Sequence, residues 1–296
     1  MGQYGLRYDG PVYRPPSEAN SLLVQATVGC PHNQCTFCMV YKRGPKYRVR
    51  PVEDIIEDID RAAEVLKDSV RTVFYPAGNT IAMDTGDLVS VLEHTRRAFP
   101  SVERITVYGS SKYVLEKGAD GMKRLAEAGL DRIHIGLESG DDVVLARVKK
   151  GVTADGHVEA GMAVKAAGID LSEYVMLGIG GVDRTDEHIG GTIDVLNRID
   201  PDFIRVRTFL PKVNTPLLID IEKGRFEVLS PHQVLGELRT LIEGLDVTST
   251  VASDHYTNYA NVRGRMPEDR GTMLERIDRA LEVDERNFRP VYVGTQ

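Results

Sequence analysis

Short runs of β-branched and aromatic residues alternate with longer segments of helical periodicity, and this alternation is the strongest constraint on the fold. Strands are predicted at residues 22–28, 71–76, 103–109, 132–138, 171–178 and 203–209, with a weaker seventh at 246–252. Strands that are separated by helices form a parallel sheet, because right-handed crossovers place the helices outside it. The sequence therefore predicts an α/β fold.

Capping signals mark several helix ends. A helix is predicted behind Pro51, and a capping-box pattern at Ser230 and Gln233 predicts the start of another. Gly168 is expected to stop the helix that begins after Thr153. Gly190 and Gly191 lie within a predicted helical stretch, where each glycine costs about 1 kcal/mol of stability relative to alanine. We expect close packing there.

The predicted strands are polar on one face and aliphatic on the other. The polar positions are Gln25, Thr27, Thr106, Tyr108, Ser110, His134, Glu138, Tyr174, Arg205 and Arg207. A doubly wound sheet covers both faces with helices and tends to be apolar on both. A polar face has to meet water or a ligand, which a curled sheet achieves by lining a cavity. This favours a partial (β/α)6 TIM-type barrel over an open sheet, with chemistry at the carboxyl ends of its strands.

All three cysteines of the chain, Cys30, Cys35 and Cys38, lie in one short run, GCPHNQCTFC. Clustered thiols with no other cysteine to pair with are typical of metal ligands rather than of disulfides. Three thiolates can hold three irons of a 4Fe–4S cluster and leave the fourth iron open to a small molecule. His32 could instead complete a structural zinc site with them, so this run alone leaves both metals open.

Composition narrows the function classes. The 296 residues carry a net charge of −7, which argues against nonspecific nucleic-acid binding. No apolar stretch approaches the roughly 20 residues that cross a bilayer, and the first residues lack the apolar centre of a signal peptide. We expect a cytoplasmic protein with no membrane partner. We also expect an N-terminal arm at 1–20, a barrel at 21–252, and a C-terminal loop, helix and tail at 253–296 that close the barrel.

The cysteine run resembles the cluster loop of the radical S-adenosylmethionine (SAM) enzymes. That loop has two residues between its last two cysteines and an aromatic residue before the third, which Phe37 matches here. The first gap departs from the pattern, with four residues instead of three. The resemblance extends from about Ser21 to Pro211 and is to enzymes of the Elp3 and coproporphyrinogen dehydrogenase kind. It implies a 4Fe–4S cluster held by Cys30, Cys35 and Cys38, with SAM as the second cofactor.

The same resemblance implies SAM contacts after several strands. The turn YPAGNT at 75–80 occupies the position of the family's glycine-rich turn, although Gly-Asn alone is ordinary turn chemistry. Glu138 is expected to bind the ribose and Lys150 the SAM carboxylate. A salt bridge between the two is the alternative, and Lys149 could exchange roles with Lys150. The predicted cofactor-binding residues are Phe37, Ala77, Gly78, Asn79, Ser110, Glu138, Lys150, Tyr174 and Gly178.

The sixth predicted strand and the polar loop at 253–265 offer a substrate site. Arg205 and Arg207 lie two apart and suit a carboxylate or phosphate, with salt bridges to Glu138 or Asp254 as the alternative. Asp254 and His255 are candidates for proton transfer. Tyr41, just beyond the cluster loop, is grouped with them because we expect it to touch adenine or substrate.

The resemblance implies reductive cleavage of SAM at the cluster, giving a 5′-deoxyadenosyl radical that takes hydrogen from a small anionic metabolite. A one-electron donor such as flavodoxin or ferredoxin would be the protein partner. With all cysteines committed, cysteine-based methyl transfer and an auxiliary cluster are disfavoured, which leaves oxidation, rearrangement or bond cleavage. Two alternatives stay open. The central region also resembles methylthiotransferases, which suggests tRNA modification, and a zinc-stabilised barrel could serve as a non-enzymatic binding module.

Overall fold

The computed structural model describes residues 3–10 and 12–294. The strands are β1 (Leu22–Leu23), β2 (Thr27–Val28), β3 (Arg48–Val49), β4 (Thr72–Tyr75), β5 (Arg104–Gly109), β6 (Arg132–Glu138), β7 (Asp170–Leu177), β8 (Phe203–Thr208), β9 (Thr250–Ala252) and β10 (Arg263–Arg265). The α-helices are α1 (Val52–Leu66), α2 (Thr85–Ala98), α3 (Ser111–Glu127), α4 (Asp142–Arg147), α5 (Ala154–Ala166), α6 (Thr185–Ile199), α7 (Pro216–Glu222), α8 (Pro231–Gly244) and α9 (Arg270–Leu281). None of the helices in this described part combines the length and apolarity that crossing a membrane requires.

The chain forms two compact units. The first unit comprises the residues up to Asn33 together with Arg43–Ile135 and Met162–Leu171. The second unit comprises Gln34–Lys42, Gly136–Gly161 and the residues from Ser172 onward.

The first unit is built on a parallel sheet. Strand β1 pairs with β4, β4 with β5, and β5 with β6, all in parallel. Helix α1 packs on α2, and α2 packs on α3. The apolar stripe of α1 includes Ile55 and Ile59, and that of α2 includes Leu88 and Leu92, all fully buried. The helical spacing read behind Pro51 is thereby confirmed, because those residues form the buried face of α1.

The predicted first strand at 22–28 is wrong as a single element. Its start, β1, joins the parallel sheet, whereas its end, β2, pairs antiparallel with β3. Gln25 lies between them, and its side chain exchanges hydrogen bonds of 2.7 and 3.0 Å with the backbone of Asp9. Arg50 donates to the Gln25 carbonyl at 2.6 Å. The polar side chain therefore serves the N-terminal segment instead of the sheet.

The polar strand face of the first unit is filled by the protein itself. The rings of Phe74, Tyr108 and His134 contact one another there, with centroids 4.9–6.0 Å apart. Glu18, from a 3₁₀ turn at Pro16–Glu18, is fully buried and lies 3.2 Å from His134 Nε2 and 3.1 Å from Arg104. The expectation that every polar position of the sheet meets water or ligand is wrong here, because a buried carboxylate supplies the partner.

The second unit contains a mixed sheet and its own core. Strands β7, β8 and β9 are parallel, and β10 pairs antiparallel with β9. Helix α8 packs on α6 and α9. One apolar cluster joins the end of α4, the loop after β7 and the region of α7. Its fully buried or nearly buried members are Val144, Val148, Ile179, Phe209, Leu217 and Phe226.

Most predicted elements are confirmed with small shifts at their ends. Strand β6 has the predicted bounds, and the weak seventh strand is present but short, as β9. The capping box of α8 is present with both of its hydrogen bonds. Close packing explains one of the two helical glycines, Gly191. A Cβ there would lie 2.6 Å from the Gly140 carbonyl oxygen. Gly190 has nothing within 4 Å, so packing does not explain it.

Candidate functional site

The cysteine run begins in the first unit. Cys30 is half-buried, and its Sγ accepts a hydrogen bond from Asn33 N at 3.4 Å. Gly29, immediately before it, has φ +73°, and a Cβ there would approach the Pro45 carbonyl oxygen to 2.7 Å. Only glycine fits this position without rearrangement, because both the backbone angle and the space exclude a side chain. The entry to the cysteine run is therefore fixed by backbone packing.

The end of the run lies in the second unit and is anchored at both backbone groups of Thr36. Thr36 N donates to the Val148 carbonyl at 2.9 Å, and its carbonyl accepts from Leu217 N at 3.0 Å. Phe37 packs against the apolar cluster of the second unit. The chain then turns so that Cys38 N donates to the Cys35 carbonyl at 3.3 Å. This part of the run is thus held between α4 and α7.

The donor set suits an iron–sulfur cluster chemically. The structure describes all three cysteines, and none is in a disulfide. Thiolates are the usual ligands of such clusters, and all three thiols are half-buried. Among the described residues, no three His, Cys, Asp or Glu side chains already form a group arranged to hold one metal ion. The assignment of the three cysteines as ligands therefore stays a prediction.

Four of the predicted SAM residues come together in the first unit, after β4 and β5. Gly78 N donates to the Gly29 carbonyl at 3.1 Å, which ties this turn to the residue before Cys30. Asn79 Nδ2 donates to Ser110 Oγ at 2.9 Å. Asn79 is only 2% exposed, and its Oδ1 has no hydrogen-bond partner among the described residues. A buried acceptor without a donor is a position where a ligand can supply one.

Ala77 in the same turn has φ +98°, in the left-handed region that favours glycine. Glu138, at the end of β6 in the second unit, has φ +65°. Both residues were predicted to bind SAM, and neither conformation could be read from the sequence. Strained backbone is enriched at ligand sites, which agrees with the prediction but does not test it.

Glu138 and Lys150 form the ion pair that was the alternative to SAM binding. Lys150 Nζ lies 3.0 Å from Glu138 Oε1, and both side chains are about 10% exposed. Burial alone would lower the pKa of Lys150, but the nearby carboxylate and the Cys35 thiol raise it. Lys149 is exposed. Lys150 is therefore the inward-facing lysine of the pair, and its neighbour points to the surface.

Two buried residues near this ion pair were missed. Glu173 on β7 is fully buried, and burial raises its pKa to about 8 even though Lys150 acts to lower it. His157 on α5 is also fully buried, and burial with the Lys150 charge lowers its pKa to about 3. A charged residue inside the strand run LSEYVML was the available signal for Glu173. His157 had none, since one histidine in a helix is ordinary.

Tyr174 and Gly178 lie on β7 and just after it. Tyr174 is opposite Arg205 in the register between β7 and β8. Gly178 has φ +78°, and its N–H donates to Glu237 Oε2 at 2.6 Å. Glu237 is another residue that no sequence pattern had selected. Burial raises its pKa to about 7, and the hydrogen bonds from Thr185 and Gly178 oppose that shift.

The predicted substrate residues of β8 differ in their partners. Arg205 lies 3.8 Å from Asp254, which was the alternative to ligand binding for that residue. Arg207 is half-buried and has no acidic partner in the part of the chain that the structure describes. Burial, followed by the charges of Arg207 and Lys212, lowers the pKa of His255 to about 4. His255 is therefore neutral at pH 7, because the charges of Arg207 and Lys212 add to the effect of burial.

Lys212 was not selected from the sequence. Its Nζ donates to the Tyr256 hydroxyl at 3.4 Å, and among the described residues it has no acidic partner. Asn258 stabilises this region by donating to the Val206 carbonyl at 2.8 Å and accepting from Thr208 Oγ1 at 3.0 Å. Tyr41, the third predicted catalytic residue, is buried at 8% exposure. Its proposed contact with adenine or substrate stays a prediction.

A family model for the radical SAM superfamily matches residues 24–196. The tRNA-2-methylthio-N(6)-dimethylallyladenosine synthase of Marinomonas sp. (strain MWYL1) is 24% identical over 297 residues, covering 95% of this chain and 62% of its own length. The synthase of the same name from Ralstonia nicotianae is 26% identical over 218 residues, covering 68% of this chain and 45% of its own length. The chain thus spans about half the length of the curated relatives it matches.

Two solved structures share the fold. The crystal structure of methylornithine synthase has a TM-score of 0.54 and 18% identity, covering 87% of this chain and 80% of that one. Coproporphyrinogen III oxidase from Escherichia coli has a TM-score of 0.55 and 17% identity, covering 75% of this chain and 51% of that one. These likenesses confirm the predicted fold class, an α/β fold of the partial (β/α)6 barrel type.

The family match spans more than half of the 296 residues and includes the cysteine run, the turn after β4 and the end of β6. Members of this family are enzymes, and SAM with a 4Fe–4S cluster is the cofactor pair of the family. The predicted enzyme class and cofactors are therefore confirmed at the level of the family, and the zinc-stabilised binding module is set aside. This chain belongs to the radical SAM superfamily.

Proposed function

We propose that this protein uses SAM and a 4Fe–4S cluster to abstract hydrogen from a small anionic metabolite. Cys30, Cys35 and Cys38 would hold the cluster, which supplies the electron for reductive cleavage of SAM when it is bound. A small one-electron donor such as flavodoxin or ferredoxin would deliver that electron. The protein's own residues bind and orient the two small molecules.

The first unit offers SAM a hydrogen-bond acceptor. Asn79 Oδ1 is buried and has no donor within residues 3–10 and 12–294, and its amide is oriented by Ser110 at 2.9 Å. An amino group can satisfy that oxygen. The neighbouring Gly78 lets backbone approach a ligand closely, since it carries no side chain.

The second unit offers SAM a cation and an anion. Lys150 can bind a carboxylate, and Glu138 can accept hydrogen bonds from ribose hydroxyls. Without a ligand the two groups neutralise each other at 3.0 Å. SAM binding would give Lys150 a carboxylate and Glu138 the hydrogen bonds of ribose hydroxyls, so neither buried charge would be left alone.

The anionic substrate is supported by one observation above all: two cations near His255 have no carboxylate partner among the described residues. Arg207 and Lys212 both act on the His255 ring, and the nearby Asp254 is closer to Arg205, at 3.8 Å. A half-buried guanidinium is seldom left without an anion, because its desolvation has to be offset. A substrate carboxylate or phosphate would provide that anion. The neutral His255 can then accept a proton beside it.

The first test is reductant-dependent formation of 5′-deoxyadenosine by anaerobically reconstituted protein. We expect formation with dithionite or reduced flavodoxin, and its loss together with the cluster absorbance in Cys35→Ala. Thr36→Val is the matched control, because the anchoring bonds of Thr36 are made by its backbone. A Cys35→Ala protein that keeps its full iron and sulfide content would contradict the ligand assignment.

The second test adds candidate substrates to the same assay. Free carboxylates, including amino acids, and phosphorylated metabolites are compared with matched neutral esters or dephosphorylated forms. We expect stimulated 5′-deoxyadenosine formation with an anionic compound and little with its neutral counterpart. Equal stimulation by neutral forms would refute the anionic class.

A second candidate function is tRNA modification. It is favoured by the curated relatives, which are named as tRNA-modifying synthases, although the chain spans only 45–62% of their length. The net charge of −7 opposes it. Total tRNA lacking the modification is therefore included as a third arm. Stimulation by tRNA alone would replace the metabolite proposal.

A further inference from the structure

Two buried polar groups that lie close together, His188 and Glu237, contact the two loops that follow β6 and β7 in the second unit. Ser139 Oγ lies 2.8 Å from His188 Nδ1 on α6. Glu237 on α8 accepts from Gly178 N at 2.6 Å through Oε2 and from Thr185 Oγ1 at 2.5 Å through Oε1. His188 Nε2 lies 4.0 Å from the same Oε2. The loop after β6 thus contacts the imidazole and the loop after β7 the carboxylate, and no hydrogen bond joins His188 Nε2 to Glu237 among the described residues.

Both groups lie in the interior. Ser139 and His188 are fully buried, and Glu237 is 5% exposed. Burial lowers the pKa of His188 to about 4, so its ring is neutral at pH 7. Interior titratable groups are unfavourable in themselves, so the fold keeps them at the expense of stability. Helices α6 and α8 could pack with apolar side chains alone. The specific contribution of His188 and Glu237 is therefore to hold the two loops.

Further contacts fix the same loops from α4 and α6. Arg184 donates to the two oxygens of Asp141 at 2.6 and 3.1 Å. Arg147 donates to the Gly180 carbonyl at 3.0 Å. Gly140 lies against Gly191 so closely that a Cβ on Gly140 would be 2.1 Å from a backbone oxygen. The loops are therefore held by two arginine side chains and by the direct backbone contact between Gly140 and Gly191.

We propose that Glu237 and His188 are positioning residues, which hold the loops at 138–141 and 178–181 in the arrangement that binds SAM. The inference rests on the proposed function, since that proposal assigns Glu138 to SAM, and on the sequence-based prediction that Gly178 also contacts it. Neither Glu237 nor His188 touches the cofactor. They act through Gly178 N and Ser139 Oγ, the residue after Glu138.

The chemistry of the Glu237 contacts predicts which substitutions they tolerate. In Glu237→Gln the amide oxygen can still accept from Gly178 N, and the amide nitrogen can donate to Thr185 Oγ1. Glu237→Ala removes both contacts and leaves the buried Gly178 N–H without an acceptor. Thr185→Val removes only the second contact and retains the shape of the side chain.

The control variant lies on the same pair of helices. Asn197 on α6 donates to the Gly244 carbonyl of α8 at 3.0 Å and accepts from Asp246 N at 2.7 Å. Asn197→Ala therefore weakens α6–α8 packing without touching either loop. If the buried polar groups served only the packing of these helices, Glu237→Ala and Asn197→Ala would behave alike toward SAM.

The experiment measures SAM affinity by equilibrium dialysis and amide hydrogen exchange of the two loops, on anaerobically reconstituted protein that is folded by circular dichroism. We expect Glu237→Ala to weaken SAM binding about tenfold and to speed exchange at 138–141 and 178–181. Glu237→Gln should stay within about twofold of the parent protein. The SAM affinity of Thr185→Val should lie between those of the two Glu237 variants. If Glu237→Ala does not fold, Thr185→Val tests the positioning role instead.

The outcomes separate the two proposals. Unchanged SAM affinity in Glu237→Ala, or in Thr185→Val if only that variant folds, would overturn the positioning role and leave the proposed function intact. An equal loss of affinity in Asn197→Ala would also overturn it, because the effect would then be one of general stability. A parent protein that binds no SAM would overturn both.

Discussion

Each unit contains a fully buried glutamate, Glu18 in the first and Glu173 in the second. The two carboxylates differ in their hydrogen-bond partners and in the direction of their pKa shifts. Glu18 of the first unit accepts from Ser21 Oγ at 2.6 Å and is flanked by His134 and Arg104. Burial acts to raise its pKa, but these donors and charges outweigh it and lower the pKa to about 2. Glu173 of the second unit receives no side-chain hydrogen bond within the described ranges, and its pKa is about 8. Burial alone does not decide the charge of a group; the donors around it do.

The cations of the two units show the same contrast. Arg104 of the first unit has Glu18, whereas Arg207 of the second unit has no carboxylate among the residues described. A polar strand face is therefore not by itself a ligand site. In the first unit the chain supplies the counter-charge of Arg104, and in the second no described residue supplies one to Arg207.

The largest expected effect is that of removing the internal counter-charge. Glu18→Ala leaves His134 and Arg104 without their carboxylate, and breaking a buried charge pair costs about 3–5 kcal/mol. The midpoint of thermal unfolding should fall by about 10 °C, as measured by differential scanning calorimetry. Glu93→Ala is the control, because its pair with Arg97 is exposed at 3.8 Å and worth less than about 1 kcal/mol. Equal effects of the two substitutions would contradict the description of the first unit.

The second expected effect concerns the unpaired cation. Arg207→Ala should raise the KM for the anionic substrate about 100-fold, because a guanidinium–anion contact is lost from a half-buried site. Its midpoint of unfolding should change little, since no internal partner is abandoned. Arg225→Ala is the matched control, with an exposed guanidinium paired to Asp220 in the same unit. A KM that changes less than threefold would show that Arg207 does not bind substrate.

The third prediction uses pH to compare the two glutamates. The pKa of Glu173 in the folded protein is above its ordinary value of 4.5, so native protein binds this proton more tightly than unfolded protein does. Its contribution to stability is full below pH 4.5 and is lost as the pH rises through about 8. The free energy of unfolding of the parent, relative to Glu173→Gln, should therefore fall between pH 5 and 8. The slope is at most about 1.4 kcal/mol per pH unit.

Urea unfolding of both proteins across that range measures this difference. Glu18 should behave oppositely, since its pKa is lowered to about 2. Its stabilisation is present above the ordinary pKa and is lost only as the pH falls toward 2. A constant difference between the parent and Glu173→Gln from pH 5 to 8 would mean that Glu173 is already ionised in the native state.

Much of the architecture could be predicted from the sequence, because periodicity and capping are local. Strand β6, helix α1 and the capping box of Ser230 required only neighbouring residues. The break in the first strand could not be predicted in this way. It depends on a hydrogen bond between Gln25 and Asp9, which lie 16 residues apart.

The site was less predictable, because it too depends on contacts between residues that are far apart in the sequence. Motif position was enough to select Glu138 and Lys150, but not to show that they pair with each other. The roles of Glu18, Glu173 and Glu237 depend on which donors the fold brings to each carboxylate. Those donors cannot be predicted from the local sequence pattern, because they come from distant segments of the chain.

The smallest expected effect concerns the strained turn of the first unit. Ala77 has φ +98° and no side-chain function, whereas Glu138, one of the positive-φ residues of the second unit, carries a carboxylate. Ala77→Gly relieves about 1–3 kcal/mol of backbone strain and loses one buried methyl group, about 0.8 kcal/mol, plus glycine's greater unfolded-state entropy. The net result should be a gain of about 0.5 kcal/mol in the free energy of unfolding, measured by urea titration.

Ala82→Gly is the control for that substitution. Ala82 lies in the neighbouring 3₁₀ turn at Thr80–Ala82 and has no positive φ, so glycine there gains nothing from relieved strain. It should lose about 0.5–1 kcal/mol. The opposite signs of two alanine-to-glycine changes five residues apart would isolate the backbone strain at the predicted SAM turn. A loss of stability in both variants would show that the turn adopts another conformation in solution.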